Sequence, residues 1–179
     1  MSAAHSAGAD AAVKFLLSLG HRRIGAITGP RGWIATEERL RGFHAALAAA
    51  GILAESELVI DADFEIEPGL KAARRLLDLH DPPTAIFAFN DNIAIGVLQA
   101  TRERGVRVPD DLSVIGFDDV EAAEIVTPAL TTIRQPLAEM GRMAVSLLER
   151  LIEGHGIEAL HVELRTQLIV RNTTAPLRA

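Results

Sequence analysis

Two segments, "PTAIFAFND" (83–91) and "DLSVIGFDD" (111–119), decide the fold of this chain. Each is a short, almost continuous run of apolar residues, as in a strand buried on both faces, and each ends in polar side chains. The residues between them, 91–104, carry apolar side chains at helical spacing, and Gly105 then favours a helix end. Two buried strands joined by a helix predict a βαβ crossover in a parallel sheet.

The same alternation extends through the rest of the chain. Helical patterns occupy 7–20, 36–50, 66–80 and 137–153, and strand patterns occupy 22–30, 57–63, 129–136 and 161–171. Thr36 is the expected N-cap of the second helix, and the last strand alternates only in part, which favours a place nearer the sheet edge. The pattern predicts an α/β fold, a parallel-sheet three-layer sandwich, in which ligands bind outside the carboxyl ends of the strands.

The composition limits the classes of function. The 179 residues suffice for one domain with a substantial core, and the formal net charge is −6 with a pI near 5.5. An acidic chain lacks the basic surface that binds a phosphate backbone, so nucleic acid is not an expected direct partner. There is no cysteine. No apolar run approaches the ~20 residues of a membrane span, and "MSAAHSAGAD" (1–10) lacks a secretory pattern, so we expect a cytoplasmic location and no membrane contact.

Patterns for catalysis are missing from the sequence. Neither a phosphate-binding glycine loop nor the G-x-S-x-G elbow of a serine nucleophile occurs, and the six histidines show no H-x-x-x-H spacing. A cation site could still be built from carboxylates after the predicted strands, namely Asp61, Asp63, Asp91 and Asp118. Catalysis is nevertheless the weaker hypothesis, and we expect no enzyme activity, no cofactor and no metal.

The same strand ends favour the binding of a neutral, hydroxyl-rich ligand. A carboxylate accepts pairs of hydroxyl hydrogens, an arginine donates to ring and hydroxyl oxygens, and an aromatic ring stacks on an apolar face. The sequence offers such a set in Asp118, Arg39, Asn90 and one of Phe64 or Trp33. Asp119, which follows the expected ligand carboxylate, is interpreted instead as the cap of the short turn at 120–126.

Each candidate also has a purely structural interpretation. Asn90 is as well placed to cap the following helix as to contact a ligand, and it could do both. Loop packing and ligand stacking explain Trp33 equally well. Phe64 could cover the edge of the core, and Arg39 could be a solvated helix charge.

Several stretches resemble the effector domain of the LacI/GalR (lactose-repressor) family of bacterial transcription regulators. They are "GHRRIGAITGP" (20–30), "ERLRGFHAAL" (38–47) and the long run at 83–136, in which "VPDDLSVIGFDD" (108–119) and "PALTTIRQP" (128–136) are highly specific. The resemblance implies a periplasmic binding protein type I-like fold of two α/β subdomains, with a sugar or nucleobase effector between them. It also implies a homodimer and an N-terminal helix-turn-helix that contacts operator DNA.

The resemblance also implies a set of effector contacts. Carried over position by position, these are Arg39, Phe64, Asn90, Asp118 and Gln135, with Trp33 at a place that varies with the effector. Four of them coincide with the residues chosen from their chemistry. Gln135 is indicated by the resemblance alone.

The resemblance, from about 8 to 171, predicts how the chain is divided. Residues 1–179 form a fragment of the effector (sugar)-binding domain, with the C-terminal subdomain core at 8–135, a helix of the otherwise missing N-terminal subdomain at 136–154, and a returning strand at 160–171. The DNA-binding headpiece is expected to be absent, so operator DNA would be bound only through that missing part. The expected function is sensing of a small sugar or nucleoside effector, and the alternative is a periplasmic ABC-type sugar-binding protein.

Two apolar surfaces lead to further expectations. The helix that carries Ile93, Val97 and Leu98, together with the turn at Ile125 and Val126, offers surface for the homodimer. The stripe at 137, 140, 144, 147, 148 and 151 marks a helix face that must be buried, yet its partner subdomain is mostly absent. That helix should therefore fold back onto its own sheet, swap with a second chain, or fray.

Overall fold

A four-stranded parallel sheet forms the centre of the fold. In the computed structural model, which describes residues 2–154 and 162–178, the elements are β1 (Ser2–Ala3), α1 (His5–Ser18), β2 (Ile24–Thr28), α2 (Ile34–Ala49), β3 (Val59–Asp61), α3 (Ile66–Leu77), β4 (Ala85–Ala88), α4 (Asp91–Arg104), β5 (Ser113–Ile115), α5 (Ala122–Ile125), β6 (Thr132–Arg134), α6 (Leu137–Ile152), β7 (Glu163–Leu164) and β8 (Gln167–Ile169). The central strands lie in the order β3-β2-β4-β5, all parallel. Every residue of β2, β4 and β5 is buried, as their continuous apolar sequences predict.

Helices cover both faces of this sheet. The chain moves from β2 to β3 in one direction and from β3 to β4 and β5 in the other, so right-handed crossovers place α2 on one face and α3 and α4 on the other. The α3 and α4 helices pack very closely. A Cβ added to Gly96 of α4 would lie 2.4 Å from the carbonyl oxygen of Ile66, so only glycine allows this approach.

The strand order creates a crevice at one edge of the sheet. β2 and β4 are neighbours, but the connections that leave them run to opposite faces. Such a divergence opens a gap at the carboxyl ends of the two strands, where open α/β sheets bind their ligands. The three-layer α/β architecture predicted from the sequence is confirmed, and it places the candidate residues at this edge.

The start of α2 differs from the prediction. The helix begins at Ile34, with Trp33 in an extended conformation before it, so Thr36 lies within the first turn and is not the N-cap. Gly32 turns the chain with φ of +81°, and its N–H donates to Glu37 Oε1 at 3.2 Å. Because this side chain reaches back to the turn, the helix starts two residues early without a side-chain cap of its own.

The segment at 161–171 does not form one strand at the edge of the central sheet. β7 pairs in parallel with β1, and β8 pairs antiparallel with β6. Residue 161 and the start of the predicted returning strand lie outside the described residues. β6 itself lies beside the chain that follows β5, joined to it by bridges from Ile115 to Thr131 and from Asp118 to Arg134 and by backbone hydrogen bonds. The partner of the last strand is therefore β6 rather than a strand of the central sheet.

The α6 helix forms where it is predicted but buries no residue. Its apolar side chains remain largely in solvent, with Leu148 57% and Leu151 52% exposed. Of the three predicted outcomes for this helix, folding back onto its own sheet is wrong for the single chain. None of the helices that the structure describes is long and apolar enough to cross a membrane.

The predicted dimer surface is partly wrong. Ile93, Val97 and Leu98 are 0%, 0% and 3% exposed, because α4 packs them into the interior of its own chain. Ile125 at the end of α5 does remain exposed. The homodimer stays a prediction, but these three side chains of α4 do not supply its apolar surface.

Candidate functional site

The six residues predicted to contact a ligand lie together at the carboxyl edge of the sheet. They come from the start of α2, the loop after β3, the end of β4, the turn after β5 and the end of β6. We refer to them as the strand-end cluster, which consists of Trp33, Arg39, Phe64, Asn90, Asp118 and Gln135. Hydrogen bonds and ring contacts join all six.

Arg39 is the centre of the strand-end cluster and is only 3% exposed. Its Nη2 donates to Asp118 Oδ1 at 3.1 Å, and its Nη1 donates to the carbonyl of Phe89 at the end of β4. Its guanidinium carbon lies 3.8 Å from the centroid of the Phe117 ring, and His5 Nδ1 accepts from its Nε at 3.4 Å. Arg39 is thus not a solvated helix charge. It is a buried cation held from four sides.

The attraction between Arg39 and Asp118 does not fully offset the cost of burying their charges. Burial lowers the pKa of Arg39 even though Asp118 opposes the shift. Burial also raises the pKa of Asp118, against the opposing effects of Arg39 and Gln135. Both groups are therefore pushed towards their neutral forms, which means that their attraction does not offset the lost hydration. Ionisable groups held at such a disadvantage are typical of functional sites.

Asp118 has one oxygen engaged and one available. Its Oδ1 accepts from both Arg39 Nη2 and Gln135 Nε2, the latter at 2.5 Å, whereas Oδ2 accepts no hydrogen bond from any residue that the structure describes. The backbone of Asp118 is tied to β6, since its N–H donates to the carbonyl of Ile133 at 2.8 Å and its own carbonyl accepts from Gln135 at 3.2 Å. Its position is therefore set before any ligand arrives.

Asn90 caps a helix and also holds the aromatic part of the cluster. Its Oδ1 accepts from the N–H of Ile93 at 2.8 Å, and its Nδ2 donates to the carbonyl of Phe64 at 3.1 Å. The rings of Phe64 and Trp33 meet edge to face with centroids 5.8 Å apart. Phe64 is half-buried against the core, but Trp33 is 59% exposed. Asn90 thus caps α4, and Phe64 covers the edge of the core. Neither role prevents the residue from contacting a ligand.

The role predicted for Asp119 is wrong. Its carboxylate does not cap the turn at 120–126 but pairs with Arg134 Nε at 2.5 Å and Arg171 Nη1 at 2.7 Å. Burial acts to raise the pKa of Asp119, yet the two arginines outweigh it and the net shift is downwards. The N–H of Val120 is instead accepted by Asp91 at 2.9 Å. Asp119 is therefore a buried anion that joins β6 to the residues after β8.

The aspartates considered for a cation site do not meet. Asp61 accepts from Thr28 Oγ1 and pairs with Arg31, on the far side of β2 from the strand-end cluster. Asp63 is exposed, and Asp91 lies in the interior. Among residues 2–154 and 162–178, no group of three or more His, Cys, Asp or Glu side chains has a geometry that could hold a metal ion.

Two residues beside the cluster were not selected from the sequence. His5 and Phe117 flank Arg39, and their rings lie 5.8 Å apart. Burial lowers the pKa of His5 to about 4, and Arg39 adds to the shift, so the imidazole is neutral at pH 7. Since Nδ1 accepts from Arg39, the ring proton is on Nε2. His5 is the first residue of α1 but lies before the helix predicted at 7–20, and its position in the sequence carried no signal of this contact.

The strand-end cluster is an open platform. Two cavities of about 550 and 470 Å³ lie on either side of β3, and none of the six residues lines them. The larger is lined by exposed cations and Asp61, and the smaller lies between α2 and β3. The cluster has the convergent polar groups and the buried charge pair of a binding site, but it offers only one wall.

The fold and the cluster together define a periplasmic-binding-protein-like domain. Residues 13–174 match the family described as "Periplasmic binding protein-like domain", so the chain belongs to that family. The predicted resemblance to the LacI/GalR family is confirmed, since solved regulators of the LacI family match nearly the whole of this chain.

The similarity covers most of this chain but only part of each relative. The HTH-type transcriptional regulator DegA of Bacillus subtilis is 42% identical over 170 residues, which are 95% of this chain and 50% of DegA. A LacI-family regulatory protein of Chloroflexus aggregans superposes with a TM-score of 0.90 at 36% identity, over 96% of this chain and 62% of that one. A complex of the transcriptional regulator CelR with cellobiose has a TM-score of 0.91 at 38% identity, over 96% and 52%. The chain thus spans about half the length of the curated relatives it matches.

Proposed function

We propose that this chain is the ligand-sensing part of a LacI-type transcription regulator and binds a small neutral sugar or nucleoside at the strand-end cluster. The observation that carries the proposal is the buried pair of Arg39 and Asp118. It is held in place by contacts from four elements, and it leaves Asp118 Oδ2 unengaged by any residue that the structure describes.

The chemistry of the cluster favours a hydroxyl-rich neutral ligand. Asp118 Oδ2 can accept a pair of hydroxyl hydrogens, and Arg39 keeps one of its five N–H groups for a ring or hydroxyl oxygen. Phe64 and the exposed Trp33 offer apolar rings to the flat face of a sugar or base. An anionic ligand would meet the carboxylate of Asp118, whereas a cation would meet Arg39. The related CelR was solved with cellobiose, which is of the proposed class.

We further propose that a second α/β subdomain closes the platform. In this division, 8–135 is the C-terminal subdomain, 136–154 supplies a helix to the second subdomain, and 160–171 returns from it. Support comes from α6, which displays an apolar stripe but buries none of it, and from relatives about twice as long as this chain. Contact with operator DNA would belong to a headpiece outside these 179 residues.

Relatives that are all transcription regulators also support the remaining parts of the proposal. These are a homodimer, a cytoplasmic location and the lack of enzyme activity. The alternative, a periplasmic sugar-binding protein, shares the fold but is less well supported by these relatives. Gene neighbours would separate the two, since a transporter component requires a permease.

The test is a ligand screen followed by calorimetry on a protein that carries both proposed subdomains. Neutral mono- and disaccharides, cellobiose included, and nucleosides would be compared with sugar phosphates by thermal shift. For a ligand that binds, Asp118→Ala should weaken affinity by about tenfold or more, since a hydrogen bond to a charged group contributes about 1.5–3 kcal/mol. Asp63→Ala removes an exposed carboxylate at the same sheet edge and should leave affinity unchanged. Unchanged affinity for Asp118→Ala, or turnover of a sugar by the purified protein, would refute the proposal.

A further inference from the structure

The carboxylate of Asp91 lies directly beneath the turn that carries Asp118. Asp91 is the first residue of α4 and is 1% exposed. Its Oδ1 accepts from Thr132 Oγ1 at 2.5 Å, and its Oδ2 accepts from the N–H of Val120 at 2.9 Å. A single carboxylate thus joins α4, β6 and the turn after β5, yet it belongs to none of the proposed ligand contacts.

That turn has an unfavourable backbone. Asp118 and Asp119 have φ of +115° and +60°, a region that residues other than glycine rarely adopt. Two such residues in succession persist only if the surroundings hold both ends of the turn. The N–H of Asp118 is held at the entrance by the Ile133 carbonyl, and the N–H of Val120 is held at the exit by Asp91.

The backbone at Gly116, on the other side of Asp91, leaves room for its carboxylate. A Cβ added to Gly116 would lie 2.3 Å from Asp91 Oδ1, so the chain directly after β5 passes the carboxylate at a distance that only glycine permits. The residues at 91, 116 and 132 therefore form one site, although they lie in three separate parts of the sequence.

We infer that Asp91 is a positioning residue for the strand-end cluster, which holds the strained 118–120 turn so that Asp118 presents its unengaged oxygen to a ligand. That this orientation of Asp118 serves ligand binding rests on the proposed function. The stabilisation of the turn by Asp91 does not depend on it.

The protonation of Asp91 offers a way to follow its contact with the turn without any ligand. Burial raises the pKa of Asp91 to about 7, while the hydrogen bonds from Thr132 and Val120 oppose the shift. The charged groups that face it are Asp118 and Asp119 from the turn, which also raise its pKa, and Arg39 from α2. A charged acceptor forms the stronger hydrogen bond, so the bond to the Val120 N–H should weaken as Asp91 takes up a proton.

The test uses the chain as it is, without a ligand, and follows the amide of Val120 by NMR and hydrogen exchange. Asp91→Ala should speed exchange of this amide by at least about tenfold relative to the amides of β4. Asp91→Asn keeps an oxygen acceptor for Val120 and an amide donor for Thr132, so it should retain most of the protection. In the wild type the Val120 amide shift should titrate with a midpoint near neutral pH, and in Asp91→Asn that titration should vanish.

Two results would overturn the inference. One is protection of Val120 in Asp91→Ala equal to the wild type, and the other is a uniform loss across β2 and β4, which would show a general loss of stability. If Asp91→Ala fails to fold, the wild-type titration and its loss in Asp91→Asn still decide. Failure of every sugar and nucleoside to bind would refute the proposed function but leave these results unaffected.

Discussion

The Arg39–Asp118 pair should destabilise the free chain, and a double-mutant cycle can measure by how much. The side chains are 4% and 22% exposed, and burial shifts both pKa values towards the neutral forms. Suitable substitutions are Arg39→Met, which can still pack on the Phe117 ring, and Asp118→Asn, which tolerates the positive φ and keeps an acceptor for Gln135. The cycle compares the two single variants with the double variant.

The expected magnitudes follow from what each variant leaves behind. Removal of one partner of a fully buried pair costs about 3–5 kcal/mol. Arg39→Met should fall near the lower limit, about 3 kcal/mol, because it leaves Asp118 beside other carboxylates and the Phe89 carbonyl without its donor. Asp118→Asn should cost about 1–2 kcal/mol, since the site is partly exposed and an amide oxygen still accepts. The double variant removes both charges, so it should be about as stable as the wild type or more stable, well above the sum of the two single effects.

Urea unfolding followed by circular dichroism at pH 7 would give the four free energies, provided that the slopes agree. A cycle at the exposed pair of Arg107 and Asp111 is the matched control and should show no measurable coupling. The cost of Arg39→Met should also shrink as the pH falls from 7 to 5. Asp118 without its cation has a folded pKa even further above the unfolded value, so its penalty is present at high pH and disappears on protonation. A double variant that is less stable than the wild type by more than about 1 kcal/mol would refute the argument that burial outweighs attraction at this pair.

Three further predictions concern packing, exposure and pH. Gly96→Ala should lower the free energy of unfolding, measured in urea, by about 1–3 kcal/mol because its methyl group meets α3. Gly141→Ala is the control, with no atom within 4 Å of the new Cβ, and should be neutral or stabilising. Equal effects of the two substitutions would contradict the close packing of α3 and α4. Amides of α6 should exchange much faster than those of β4, since α6 buries no residue, and equal protection would show that its apolar stripe is covered. The pKa of His5 is lowered to about 4, so the wild type should lose stability as the pH falls from 6.5 towards 4. The His5→Gln variant should lose less stability over the same range. Identical pH profiles of stability would show that His5 is not the source of this acid sensitivity.

Local pattern predicts much of the fold. The apolar runs at 85–88 and 113–115 are strands, as predicted from runs that are short, continuously apolar and bounded by polar and turn-forming residues. The helix from Asp91 to Arg104 begins and ends as predicted, since Asn90 can cap its start and Gly105 adopts φ of +68° at its end. These signals act over a few residues, which is the range that periodicity and capping report.

The strand-end cluster could be predicted only in part. Polar residues that follow buried parallel strands must meet at one edge, which is why Asp118, Asn90 and Arg39 could be grouped from the sequence. Gln135 needed the resemblance to a family. His5 carried no local signal, because its contact with Arg39 is made by helix packing rather than by spacing along the chain.

Periodicity and turn residues encode the order of strands and helices, the parallel sheet and the edge at which polar groups collect, so these features could be predicted from local sequence. Which charges meet depends on contacts between distant segments and became visible only in the folded chain. Asp119 pairs with Arg134 and Arg171 rather than capping the turn beside it, and Asp91, a helix-start residue in sequence, holds the turn under Asp118. The reason is that burial and partners far apart in the chain set the energy of a charged group, and neither can be read from its neighbours in sequence.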